Sequence, residues 1–395
     1  MAFTKQIAMK RIYSIDFTRG LVMILMVLDH VRDLMHVTSI TQNPVDLSST
    51  TPALFFTRLI TYLCAPIFVF LAGTSAYISF NNRHTPTESR KNLIKRGLWL
   101  ILLEFTLVNF GVWFDLGFHT WLFQVIAAIG LGFIILSFML RLSPAIIGIT
   151  GLTIMFGHNL LPFIPLEGFP ILKTILSPLF ATTAFPLTSQ ITFVIGYPPV
   201  PWLGIMLVGF ASGKLFELAD NKRSTTFLKI GLGALVLFTV LRFINIYGDL
   251  SLWTSQKNNL FTFLSFINVT KYPPSLLYSL VTLGIMFLIL AFADQVRNNF
   301  TNFVSIYGKV PLFFYLIHWY IVHPLLIAIM FLQGFSWTQM DFASGNFGRP
   351  KGVESGLQLW AIYIIWIAVV LILYYPCRKY SIYKDGQNKW WLKYI

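Results

Sequence analysis

The chain has 395 residues, of which 56% are hydrophobic, 16% aromatic and only 11% charged. A soluble domain carries about 25% charged residues, so a soluble globular protein is excluded and an all-α polytopic membrane protein is expected. The net charge of +14 would point a soluble protein toward nucleic acid. Here the Lys and Arg residues sort by position along the chain, which marks membrane topology and no nucleic-acid partner.

In chain order, the apolar runs predict about ten spanning helices, near residues 14–34, 56–80, 97–114, 121–140, 144–161, 199–216, 228–247, 273–293, 309–332 and 357–376. They are expected to surround a central cavity. The first run is followed by Asp29, His30 and Arg32, with no small-residue cleavage site, so it reads as a spanning helix and not a secretion signal. Residues 162–198, broken by Pro162, Pro165, Pro170, Pro178 and Pro186, read as an external loop with interfacial or re-entrant pieces. With the N-terminus inside, Arg32, Arg58, Lys173, Lys257, Lys271, Arg349 and Lys351 fall outside. Arg19 and Arg242 lie within spans, and all other Lys and Arg residues fall inside. Both termini are therefore expected in the cytoplasm, as residues 1–11 and a basic tail at 377–395. The aromatic and basic tail suits contact with membrane lipid. No second domain is expected in 1–395. Cys64 and Cys377 fall near opposite faces and lack metal-ligand spacing, so neither a disulfide nor a metal is expected.

The stretch Arg11–His36, RIYSIDFTRGLVMILMVLDHVRDLMH, concentrates the chemistry. Charge inside hydrocarbon costs about 2.5–3.5 kcal/mol per group on insertion scales, so such groups hide from lipid. Arg19 and His30 are separated by roughly three helical turns and project from one face, with Met23 and Val27 between them. That face suits a long ligand with an anionic head and a reactive tail; a structural Arg and a packed His are the bland alternative. Asp33 lies at i+3 from His30, within reach of its ring, and would leave the other nitrogen free as a base. Asp29 is adjacent in sequence but about 100° away around the helix. Alternatively, Asp33 pairs with Arg32 or Lys271 at a wet helix end. Further polar groups of the expected cavity are Arg58, Lys271, Glu104, Arg242 and His318, with a Glu104–Arg242 ion pair conceivable. The small residues Ala72–Ala76 suit close helix packing.

These residues resemble a known group. RIYSIDFTRGLVMILMVLDHVRD is similar to the opening of the transmembrane acyltransferase superfamily, especially bacterial relatives of the heparan-α-glucosaminide N-acetyltransferase catalytic domain. LCAPIFVFLAGTSAY, YPPVPWLGIMLVGFASG, NVTKYPPSLLYSLVTLG and YGKVPLFFYLIHWYIVHPL resemble further blocks of the same bacterial group. The resemblance implies transfer of an acyl group, acetyl in the first instance, from cytoplasmic acyl-CoA to an extracytoplasmic glycan or similar acceptor. Arg19 and His30 match the Arg-x10-His motif of the related acyltransferase-3 proteins. His30 is then the implied base and Arg19 a contact for the cofactor. In the heparan enzyme an Asn stands at the position matching His30, and the proposed catalytic histidine lies in the following loop. His36 is the histidine of that loop region here. Arg90, Lys95 and Arg96 are the expected phosphate contacts, since Arg suits phosphate. The pantetheine arm would follow Arg19, Met23, Val27 and His30. A transporter or flippase for an anionic solute or lipid is the competing class, and homo-oligomers remain open.

Overall fold

The computed structural model describes residues 11–81, 85–164, 168–343, 345–387 and 389–393. Pro165 and three of the Lys and Arg residues expected inside, Lys5, Lys10 and Arg83, lie outside the described residues.

The chain folds mainly as helices: α1 (Tyr13–Met35), α2 (Pro52–Thr61), α3 (Cys64–Asn81), α4 (Pro86–Leu103), α5 (Asn109–Trp113), α6 (Val125–Met139), α7 (Pro144–Gly157) and α8 (Pro170–Phe180). There follow α9 (Pro199–Ser212), α10 (Asp220–Ile244), α11 (Asn259–Ile267), α12 (Leu276–Gln295), α13 (Asn299–Lys309), α14 (Pro311–Leu332) and α15 (Leu359–Gly386). Six of them, α2, α4, α7, α8, α9 and α14, start with Pro in the first turn. There the missing N–H would have no intrahelical partner anyway.

Each of the ten stretches read as spanning is largely helical. By length and hydropathy, seven segments among the described residues are apolar enough to cross a membrane: 52–81, 144–163, 199–217, 220–244, 276–295, 311–332 and 359–386. The protein is a multi-pass membrane protein. Helix α1 has the length to span but carries Asp16, Arg19, Asp29, Arg32 and Asp33. Helix α6 has only 15 residues, short of the ~20 that a bilayer core needs.

Helix α1 is the axis of the fold. Its start meets the end of α15 through an Arg11–Asp385 ion pair at 2.9 Å. Its end meets the start of α15 through the His36–Leu357 bridge. Between them, Trp366 donates from Nε1 to the Ile24 carbonyl at 2.7 Å. The two helices therefore run antiparallel over their full length.

Helix α13 falls between the spans predicted at 273–293 and 309–332. The structure makes it a helix lying along the first half of α1. Asn298 and Thr301 form a reciprocal capping box that starts it, a signal present in the sequence. Tyr13 donates to Thr301 Oγ1 at 2.6 Å. Gly20 and Gly308 then allow backbone to touch backbone: a Cβ on either would collide with the carbonyl of Val304 or Asp16. Helix α14 continues upward along the second half of α1.

The external segment before α9 is more ordered than the sequence suggested, and the span expected at 121–140 begins as a strand and turns helical only at Val125. Residues 120–123 (β1), 183–186 (β2) and 192–195 (β3) form a small sheet in the order β1-β3-β2. The β1–β3 pair is parallel and β2–β3 antiparallel. This ties the start of α6 to the segment before α9. Helix α8 buries none of its residues, and Ile171, Leu172, Ile175 and Leu179 are exposed, as an interfacial piece requires.

Candidate active site

At the C-terminal end of α1, one buried carboxylate gathers three cations from three segments. Asp29 Oδ1 accepts from Arg32 Nη2 at 2.7 Å, Arg58 Nη1 at 2.6 Å and Thr61 Oγ1 at 2.6 Å. Its Oδ2 lies 3.6 Å from Lys271 Nζ. The helix positions these groups: Arg32 is one turn beyond Asp29, while Arg58 and Thr61 sit one turn apart on α2. Lys271 arrives from the segment between α11 and α12.

Asp33 belongs to the same network. Its carboxylate takes Arg32 Nη2 at 2.6 Å and lies 3.6 Å from Arg58 Nη1. This corrects the expectation that Asp33 orients His30. A carboxylate beside two guanidiniums gains more from charge-assisted contacts than from a neutral imidazole.

His30 points the other way, to α14. Its ring packs 4.1 Å from the Trp319 ring and 5.1 Å from that of His318. Trp319 and His318 are fully buried, yet His30 is part-exposed and, among the described residues, neither ring nitrogen forms a hydrogen bond. His318 Nδ1 donates to the Tyr315 carbonyl at 2.5 Å. A carbonyl cannot donate, so Nδ1 carries the proton. His318 Nε2 is then a buried acceptor without a partner.

At the other end of α1, Arg19 Nη2 donates to the Leu71 carbonyl at 3.0 Å and to Ser75 Oγ. The small-residue run of α3 thus receives Arg19, while its Gly73 packs against the α9 backbone. Lys384 of α15 lies within electrostatic reach of Arg11, Arg19 and Arg96. Asp16 and Asp385 stand in the same basic cluster.

The sequence profile of the heparan-alpha-glucosaminide N-acetyltransferase catalytic domain matches residues 11–254, more than half of the chain. The chain belongs to that family. No curated protein matches it. Within this acetyltransferase family the matched portion supplies Arg19, Asp29, His30, Arg32, Arg58 and Thr61. Lys271, His318 and Trp319 lie beyond it.

Several expected site residues fall elsewhere. Arg242 does not pair with Glu104. Its guanidinium donates to the carbonyls of Phe266, Ser251, Ser265 and Asn268 at 2.7–2.9 Å, which fastens α11 to α10. Glu104 sits in a π-helical turn (Glu104–Val108) between α4 and α5. Its Oε2 accepts the Ala127 N–H at 2.9 Å, so it caps the N-terminus of α6, where negative charge is favoured. Met23 and Val27 are buried in the core, so the Arg19–His30 face is packed along that stretch and offers no open track. Arg90 and Lys95 are exposed, and Arg90 lies over the Phe138 ring at 4.4 Å. Of the three expected phosphate contacts, only Arg96 approaches the Arg19 cluster.

His36 ends α1 and is buried. Its Nδ1 lies 3.0 Å from Thr38 Oγ1, and its carbonyl accepts from Arg349 Nη1 at 2.8 Å. Burial, together with Arg32 and Arg349, pushes its imidazole below the usual value of 6.5. Burial also pushes the Arg349 guanidinium down to about 10. Arg349 additionally holds Ser39, Val37 and Ser355, closing the loop after α1 onto the loop before α15. His36 and Arg349 form a clamp over the His30 end of α1.

Thr61, Trp319 and Arg349 were not singled out in the sequence. Thr61 is an ordinary helical Thr, and Trp is expected at any membrane interface. The Asp115–His119 pair, 2.8 Å apart, has an i,i+4 spacing, but no helix joins the two residues.

Proposed function

We propose that the protein transfers an acyl group, acetyl by family, from cytoplasmic acyl-CoA to a hydroxyl or amine of an extracytoplasmic sugar or amino-sugar. The enzyme is a single transmembrane domain of ten crossings in the plasma (inner) membrane, with both termini in the cytoplasm. The Lys and Arg asymmetry supports this orientation, as does the meeting of Arg11 with Asp385 on one side of the bundle.

The observation that carries the reading is His30: a half-buried side chain packed against Trp319 and His318, with no hydrogen bond among the described residues, on the helix whose other end holds Arg19. Arg11, Arg19, Arg96 and Lys384 would take the phosphates of CoA on the cytoplasmic side. Since Met23 and Val27 are packed, the thioester reaches His30 alongside this face and not over it. His30 removes the acceptor proton, and the freed oxygen or nitrogen attacks the thioester carbon. The imidazolium then returns the proton to the departing CoA thiolate. Asp29 does not touch the acceptor proton. It holds Arg32, Arg58 and Thr61 and fixes the end of α1.

The test is CoA release by purified His30→Ala. Wild-type activity in well-folded variant protein removes His30 from the reaction. If wild-type protein binds no acyl-CoA at millimolar concentration, transport of an anionic solute replaces acyl transfer.

A further inference from the structure

The reaction above needs a donor for the negative charge that develops on the thioester oxygen, and the network around Asp29 contains a spare one. Three cations, Arg32, Arg58 and Lys271, face two carboxylates, Asp29 and Asp33. One positive charge is left over.

The geometry identifies which cation is least engaged. Arg32 and Arg58 approach carboxylate oxygens at 2.6–2.7 Å. Lys271 Nζ stops 3.6 Å short of Asp29 Oδ2, beyond hydrogen-bond reach. Its remaining contacts are the faces of Tyr62 and Tyr272, at 5.5 and 5.1 Å from the ring centroids. Ring faces attract a cation without taking its protons. Lys271 is nevertheless buried. A buried ammonium with three N–H groups and no acceptor is costly unless something else receives them. Arg32 Nη1 is a fully buried donor without a partner. His30 follows directly on Asp29 in α1, and the charges of Lys271 and Arg32 act on its ring.

We propose that Lys271 is a catalytic residue that donates to the oxyanion of the acyl-transfer intermediate. The inference rests on the acyl-transfer reading. The acceptor gives its proton to a free ring nitrogen of His30 and forms a bond to the thioester carbon. The C=O π pair moves onto oxygen, which becomes an anion opposite the Lys271 ammonium. The pair then returns, the C–S bond breaks, and the CoA thiolate leaves with the proton from His30. Asp29 attracts the ammonium at 3.6 Å but takes its hydrogen bonds from Arg32, Arg58 and Thr61, so the N–H groups of Lys271 stay available. A preorganised cation in a water-poor site is suited to this task, since it need not reorganise as the charge appears.

The experiment measures CoA release from acetyl-CoA by full-length wild-type, Lys271→Met and Lys271→Gln protein in lipid nanodiscs. Glucosamine serves as acceptor probe in one arm and water in the other, because both routes pass through the same oxyanion. Removing such a donor lowers kcat by about 100- to 1,000-fold, so this loss is expected for Lys271→Met. The acetyl-CoA KM should stay within about two-fold. Lys271→Gln keeps a neutral donor and should retain more of kcat than Met. Should Lys271→Met fail to fold, Lys271→Gln decides alone, with about ten-fold loss or more expected.

Unchanged kcat in folded variants overturns the proposal. So does an effect confined to the glucosamine KM, which would make the cluster an acceptor-binding site. Loss of activity on His30→Ala with active Lys271 variants sinks this inference but leaves acyl transfer standing. Wild-type protein that releases no CoA in either arm sinks both.

Discussion

Arg242 and Lys271 are both buried cations near the same end of the bundle, and they are held in opposite ways. Arg242 spends its donors on four backbone carbonyls. Lys271 donates to nothing among the described residues. A cation whose donors are all used is a fastening; one with donors to spare, on the carboxylate next to His30 in the chain, is positioned for chemistry. Sequence position did not separate them, since both were candidate cavity residues.

The contrast can be broken by substitution. The largest effect is expected at His30: His30→Ala should lower kcat by at least 100-fold, the lower range for loss of a general base, with the thermal midpoint little changed. Equal activity would remove the premise. Arg242→Met should do the reverse. It strands buried carbonyls at a cost of about 1–3 kcal/mol each before relaxation, so the thermal midpoint should fall clearly while surviving folded protein keeps its kcat. A selective loss of kcat there would erase the distinction from Lys271.

Smaller effects sharpen the same picture at the other end of α1. Gly308→Ala should destabilise by about 1–3 kcal/mol through overpacking, read as a lowered midpoint. Arg96→Ala should raise the acyl-CoA KM several-fold, and less so in high salt, because screening weakens long-range attraction. Arg90→Ala, on an exposed residue lying over Phe138, should leave KM unchanged.

The smallest effect concerns the clamp. The folded protein holds the His36 imidazole below its usual 6.5, so below that pH the unfolded chain binds a proton more readily than the fold does. Stability is therefore full above about 6.5 and falls as the pH drops. His36→Gln should flatten part of that acid-side slope in thermal midpoints recorded from pH 7 to 5.

Much of the frame was legible. The apolar runs located the long helices because spanning length and hydropathy are local properties. The capping box at Asn298–Thr301 was equally local, but α13 was overlooked because its eleven residues are too few and too polar to read as a span. The site was legible only in part. The spacing of Arg19 and His30 follows from helix geometry, and their residue types mark α1 as the chemical helix. The pairing of Asp33 with Arg32 was one of the alternatives there, but the second guanidinium, Arg58, comes from another helix and could not be foreseen.

By itself, then, the sequence determined that this is a helical membrane protein, that its ionisable residues crowd α1, and that Arg19 and His30 stand at opposite ends of that helix. These follow from composition, run length and the 100° step, which act along the chain. Only the tertiary structure decided who partners whom. It closed Met23 and Val27 into the core and gave Arg242 to carbonyls and Glu104 to the start of α6. It placed Trp319 and His318 against His30, and it brought Lys271 to Asp29 without a hydrogen bond. Charge pairing and burial depend on neighbours from other segments of the chain, and no period in the sequence encodes them.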